Sequence, residues 1–232
     1  MKGYFVIICL FIFGSNGFGQ GFYFGPKGGP VLGFQTWDAQ QKRPLLGYQG
    51  DLLIETLDEQ GNGALYAMIG YHQRGSSTGG FFAGTNIRTN RRFLWHNAVL
   101  SVGAKKKLNF GGSIVPYYLI GLRLEYTFAT NLQNNFNGGR DFFFIVDERT
   151  NKINYGVTAG GGFEFPLNEF VIPYIEFTFN PDLSFQYKAE SFGTIEGYFP
   201  GSLITIPERE IRNLSLEISI GFKFMRKVIY TN

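Results

Sequence analysis

Two histidines, one cysteine and a scatter of alternating carboxylates and cations are the groups in this 232-residue sequence with chemistry to offer. The lone Cys9 excludes a disulfide framework and any multi-cysteine metal site. His96 follows Trp95 and shares strand parity with Ala98, Leu100 and Val102. A histidine beside a serine could activate that serine as a nucleophile. The first serine on this segment is Ser101, however, five residues or about 17 Å along an extended chain. His72 lies beside Arg74, with Ser76 and Ser77 in the loop expected to follow, and a satisfied interior polar residue is the simpler reading. Gly160-Gly161-Gly162 sits inside an alternating segment and lacks the strand–loop–helix setting of a phosphate loop. Nucleophile, base and orienter converge nowhere, so the sequence reads as non-enzymatic, with no cofactor and no metal.

The elements that position these groups are strands. From Asn213 to Phe224 every second residue is apolar (Leu214, Leu216, Ile218, Ile220, Phe222, Phe224), and Tyr118 to Phe128 behaves in the same way. Such a period of two is the mark of a strand with two unlike faces. Further segments at 22–35, 46–57, 63–74, 93–106, 154–165 and around Ile175–Phe179 bring the count to eight. Runs of this length exceed the usual strand of about 5–6 residues and suit a bilayer, which a tilted strand crosses in about 9–11. The connections alternate long and short, the pattern of outer-membrane barrels, whose termini and short turns lie in the periplasm. The prediction is an all-β, eight-stranded antiparallel up-and-down transmembrane barrel.

Composition agrees. The chain is 44% hydrophobic and 18% aromatic with 32 glycines, which argues against disorder. Its net charge of +3 shows no basic stripe, so nucleic acid is not an expected partner. At the start, Lys2, the apolar run Tyr4–Phe13 and Gly17-Phe18-Gly19 describe a signal peptide. Residues 1–19 are therefore expected to be removed, leaving 20–232 as the barrel.

Alternation places Lys27, Asp51, Glu55, Arg74, Lys105, Arg123, Glu125, Glu164, Glu176, Glu217 and Lys223 on the polar face. On lipid each would cost about 2–4 kcal/mol near the midplane. Inside a barrel this narrow they pair, and the lumen is filled by side chains. Arg123 with Glu125, and Glu164 with Glu176, are expected members of that network, which speaks for structure more than for proton relay. Phe34, Trp37, Tyr71, Trp95, Phe128 and Phe179 are expected in an outer aromatic belt, with Phe110, Tyr117, Tyr118, Phe165, Phe222 and Phe224 in a periplasmic one.

The chain resembles the PorT-like outer-membrane β-barrels of the Bacteroidota. The resemblance rests on the leader ending near Gly-Phe-Gly-Gln, on Gly25-Pro26-Lys27-Gly28-Gly29 opening the first strand, and on Leu216 to Phe224 closing the last. It spans the mature chain as architecture, and it implies an eight-stranded barrel and, in some members, a part in larger outer-membrane machines such as type IX secretion. Such chains commonly stop at the terminal aromatic, whereas here Met225–Asn232 continue and are expected to hang into the periplasm.

The loops add a surface. Phe81, Phe82, Phe142, Phe143, Phe144, Tyr198 and Phe199 give them an aromatic content that suits docking of other outer-membrane or surface proteins. Arg74, Arg88, Arg91 and Arg92 crowd the second loop and its flanks, where they could meet lipopolysaccharide phosphates or form a solvated rim. The expected role is a Gram-negative outer-membrane anchor or accessory subunit of a secretion, barrel-assembly or surface-attachment complex. Its expected surroundings are outer-membrane lipid and lipopolysaccharide. The alternatives are a lipid A-modifying barrel enzyme, a narrow small-molecule channel and a soluble lipocalin-like barrel.

Overall fold

The structure, a computed structural model, describes residues 21–36, 42–56, 63–81, 88–132, 147–196, 203–206 and 208–227. Seven strands run in sequence, each antiparallel to the last: β1 (Gly21–Thr36), β2 (Lys42–Thr56), β3 (Gly63–Phe81), β4 (Arg88–Lys107), β5 (Val115–Thr130), β6 (Ile153–Glu164) and β7 (Val171–Pro181). Three short strands follow, β8 (Tyr187–Ala189), β9 (Phe192–Glu196) and β10 (Leu203–Ile206), before the long β11 (Arg209–Lys227). β11 pairs with β7 on one side and with β1 on the other, from Gly21↔Lys227 to Thr36↔Arg212. That seam closes eight long strands into the barrel that the alternation predicts. β8 pairs with Arg209–Ile211 and continues the row of β7 past Asp182. β9 and β10 form a separate hairpin, and a 3-10 turn covers Asp147–Arg149.

The faces follow the period. Along β5, β6, β7 and β11 buried and exposed residues alternate, and the exposed ones, Arg212 and Arg226 near the ends of β11 apart, are apolar. Leu65 and Leu122 are 65% exposed and Ile120 62%, while Lys223 is 0% exposed. A protein in water would invert this order; a wall facing hydrocarbon requires it. No helix among the described residues is long and apolar enough to cross a membrane.

Strand ends differ from the sequence reading in four places. Ser76 and Ser77, expected in a loop, belong to β3, which reaches Phe81, and Arg91 and Arg92 belong to β4. Lys42 to Leu45 lie in β2. Met225, Arg226 and Lys227, expected to hang free, pair with Tyr23, Phe22 and Gly21. The segment after β7, expected as one long loop, holds three short strands. These stretches lie at the barrel ends, where the outward face no longer needs to be apolar and the period-two signal fades.

Candidate functional site: the lumen and the loop-end rim

The lumen is filled in tiers, starting at the end that holds Gly21 and Lys227. In the first tier, Lys223 Nζ lies 3.0 Å from Glu55 and 2.5 Å from Glu164. Lys105 bridges the same two carboxylates, and its ammonium also sits 3.5 Å over the Tyr117 ring. Lys107 adds a contact of 3.3 Å to Glu164 from the barrel mouth. Glycines line the inside of the wall here. The Tyr66 hydroxyl occupies the space that a side chain at Gly103 or Gly121 would need, and Tyr174 occupies that of Gly221.

The second tier joins strands that are far apart in sequence. Lys27 Nζ meets Glu176 at 2.7 Å, and Glu176 also accepts from the Tyr117 hydroxyl at 2.9 Å. His72 is held between Asp51 at 2.8 Å and Glu217 at 3.1 Å. Arg74 reaches Glu125 at 3.0 Å and also meets Glu217 and Ser215. Arg123 Nε lies 2.6 Å from Glu125, while its outer nitrogen meets Asp182. A polar void of about 10 Å³, lined by Asp51, His72, Arg123 and Thr158 among others, has room for roughly one water. Every charge that alternation places inward is buried here. Glu164 and Glu176, both expected in the network, belong to different clusters, Glu164 with Lys105, Lys107 and Lys223 and Glu176 with Lys27.

Above the charges runs a belt of neutral donors and acceptors. Ser76 donates to Gln35 at 2.6 Å, Gln35 to Asn213 at 2.8 Å and Asn213 to Gln186 at 2.9 Å. Gln186 then donates to Thr127 at 3.0 Å, Thr127 to Asn97 at 2.8 Å, and Asn97 to Glu125 at 2.5 Å. The belt crosses from β3 through β1 and β11 to β5 and β4. The top tier is apolar: Phe93, Trp95, Leu132, Tyr187, Ala189 and Ile211 pack into one buried cluster.

Several sequence-level placements change. Arg74 lies in the lumen at 1% exposure, so it is not part of the loop crowd. Trp95 and Tyr117, expected in the belts, are buried inside, as their parity with Asn97 and Leu119 required. His72 and Arg74, read as interior from the sequence, join the charge network, and Asp182 joins it although the sequence-level set omits it. The first two share the parity of β3's inward residues, which was readable. Asp182 falls after β7 ends, and only the fold brings it to Arg123. Ser76 and Ser77 are engaged by Gln35 and by the Arg43 carbonyl, and neither is paired with a histidine. Of the aromatic loop residues, Phe81 ends β3, with only its strand position described. Phe82, Phe142, Phe143, Phe144, Tyr198 and Phe199 lie outside the described residues.

The outer wall at the loop end carries a second arrangement. Tyr71 OH and His96 Nδ1 are 2.6 Å apart, and the Tyr71 ring lies within 6.0 Å of the rings of Tyr48, His96 and Phe128. Arg43, Ser77 and Arg92 then face each other across β2, β3 and β4. On the opposite side, Lys188 lies 2.9 Å from Glu210 and 3.2 Å from Glu208, and these bonds hold its pKa above the usual lysine value.

No protein-family model matches the sequence, and no curated protein matches it. Solved structures do. The outer membrane protein OprG from Pseudomonas aeruginosa is similar with a TM-score of 0.52 at 11% identity, over 88% of this chain and 96% of that one. Neisserial surface protein A gives a TM-score of 0.47 at 12% identity, over 88% and 96%. Ail, the attachment invasion locus protein of Yersinia pestis, gives 0.39 at 9%, over 89% and 100%. The fold is that of small outer-membrane β-barrels.

Proposed function

We propose that this chain is an integral protein of the Gram-negative outer membrane whose barrel serves as a closed anchor. In this reading residues 1–19 are a signal peptide, 20–232 form the barrel, and both barrel termini face the periplasm. The observation that carries it is the filled lumen: ion pairs, amide belt and apolar cap succeed one another from Lys223 to Trp95. A lumen so occupied supports a scaffold over a small-molecule conduit. Both histidines are engaged, His72 by two carboxylates and His96 by Tyr71, which favours a non-enzymatic role.

The wall supplies membrane attachment, and the loops supply recognition. The aromatic segment Phe142–Val146 and the residues Phe81, Phe82, Tyr198 and Phe199 would dock other outer-membrane or surface proteins, making the chain an accessory subunit of a larger assembly. The PorT-like resemblance favours a secretion-type machine. The test is a co-purification in mild detergent, comparing the native chain with a Phe143→Asp, Phe144→Glu double variant. The variant is expected to fold and insert but to lose the proteins that the native chain carries. Retention of all of them would remove the docking role. Steady single-channel conductance of the native chain in a planar bilayer would remove the closed-anchor role.

A further inference from the structure

The outward face of the barrel is aliphatic or aromatic along most of its height, and one group on β2–β4 departs from that. Gln73 and His96 point outward and pair across β3 and β4. The exposed Leu52, Ile69 and Leu100 lie on one side of them along the strands, and Leu46 and Leu94 on the other. The first charge beyond Leu94 on β4 is Arg92. The group therefore sits inside the charged rim, at the edge of the hydrocarbon layer, where the bonds that join acyl chains to headgroups lie.

Two irregularities aim these side chains. The pairing of β4 with β5 shifts register between His96 and Asn97, and that of β2 with β3 shifts between Pro44 and Gln49. Such bulges turn a side chain to a new direction and recur beside functional sites. Gly47 leaves the room that Gln73 fills, since a Cβ there would lie 3.0 Å from Gln73 Cβ and 3.2 Å from its Oε1. The Tyr71 hydroxyl is the hub: it lies 2.6 Å from His96 Nδ1 and also bonds to Gln73 and Tyr48. A tyrosine has one proton to give. With the Gln73 amide and the Tyr48 hydroxyl donating to Tyr71, that proton goes to Nδ1, and the ring proton of His96 stays on Nε2. Among the described residues nothing bonds to Nε2 or to Gln73 Oε1. The wall thus offers one donor and one acceptor side by side, where hydrocarbon supplies no partner for either. No Asp or Glu occurs from Gly70 to Asn97 or from Lys42 to Gly50, so the site makes no demand for a cation.

We propose that His96 and Gln73, held by Tyr71 and Tyr48, bind the amide link of an outer-leaflet lipid that carries an N-acyl chain. A secondary amide presents one acceptor and one donor. Its carbonyl accepts from His96 Nε2, and its N–H donates to Gln73 Oε1. An ester offers only the carbonyl, and an ether offers neither group. The exposed rings of Tyr48 and Phe128, packed about Tyr71, border the seat and would flank the acyl chain. The proposal rests on the membrane placement of the wall with its loop end outward, and not on protein docking or a closed lumen.

The test uses the full chain in mild detergent with three phosphocholine lipids of matched chain length, one amide-linked, one ester-linked and one ether-linked. The shared headgroup removes charge from the comparison. Bound lipid is read by native mass spectrometry, and heat-modifiable gel mobility checks that each variant is folded. The native chain is expected to retain the amide lipid over the ester and the ester over the ether, by about fivefold for each hydrogen bond. His96→Phe keeps a ring but loses the donor, so the preference for ester over ether should vanish while amide over ester persists. Gln73→Met should do the reverse. Tyr155→Phe, on the outward face of β6, should change nothing. Equal retention of all three lipids by the native chain would overturn the proposal. So would an amide preference that survives Gln73→Met, or a loss as large in Tyr155→Phe. Co-purification and conductance are untouched by these outcomes, so failure here is distinct from failure of the anchor role.

Discussion

The two halves of the lumen exclude solvent by opposite means. Near the chain ends the space is held by directional ion pairs, Lys223 with Glu55 and Glu164, and Lys27 with Glu176. Near the loops it is held by Trp95, Leu132, Tyr187 and Ile211, which make no directional demand on one another. The ionic half ties together residues as far apart as Lys223 and Glu55, 168 positions in sequence, and so specifies which strands face which. The apolar half only has to be full. One half should therefore respond to charge and the other to volume.

The largest effect is expected from Lys223→Met. It leaves Glu55 and Glu164, each 1% exposed, short of a partner, and breaking a buried pair in this way costs about 3–5 kcal/mol. The heat-modifiable gel midpoint should fall accordingly, and an unchanged midpoint would mean that the ionic half does not hold the barrel. Ile211→Ala comes next, removing a fully buried side chain from the cap at a cost of about 2–5 kcal/mol. Its thermal effect should be recovered by an apolar replacement of similar volume, such as Ile211→Leu, and recovery by Ile211→Asn instead would contradict an apolar tier. A smaller loss, about 1–3 kcal/mol, is expected for Gly121→Ala, which overpacks against the Tyr66 hydroxyl. Pairing it with Tyr66→Leu should restore only part of the midpoint, because the added Cβ would still lie 2.7 Å from the Val102 carbonyl oxygen.

The smallest effect is expected at the rim. Glu210→Gln removes a bond to a Lys188 whose ammonium is solvated, so the gel midpoint at neutral pH should not move. Because Lys188 has a raised pKa, whatever the bond contributes is present below the ordinary lysine value of 10.5 and lost only as pH climbs past it. Native and variant proteins should thus give parallel stability profiles from pH 5 to about 9. A divergence in that window would point to a different titrating group.

How much of this was legible depended on what the outward face had to do. Where it meets hydrocarbon, as from Leu214 to Phe224, the period is unbroken and the inward charges follow directly. Where β3 rises past Gly75, Ser76, Ser77 and Thr78, nothing forces the outward residues to be apolar, and the strand reads as a loop. Trp95 has the residue type of an aromatic belt, but it shares the parity of Asn97 and Val99 and so points inward; phase, not type, decides the face. The pairing of Glu176 with Lys27 and of Glu164 with Lys105 and Lys223 was not readable. Alternation assigns a face, but height within the barrel depends on the stagger between strands, which the sequence does not display.

The seam between β1 and β11 has a consequence for the order in which the interior can form. The strand that closes the ring is also the last of the described strands in sequence, and it supplies a member to every layer of the interior: Lys223, Glu217, Asn213 and Ile211. Until it arrives, Glu55 lacks Lys223, Arg74 lacks Glu217, Gln35 lacks Asn213 and Trp95 lacks Ile211. Without that strand no tier is complete, so closure of the ring and completion of the interior are a single event.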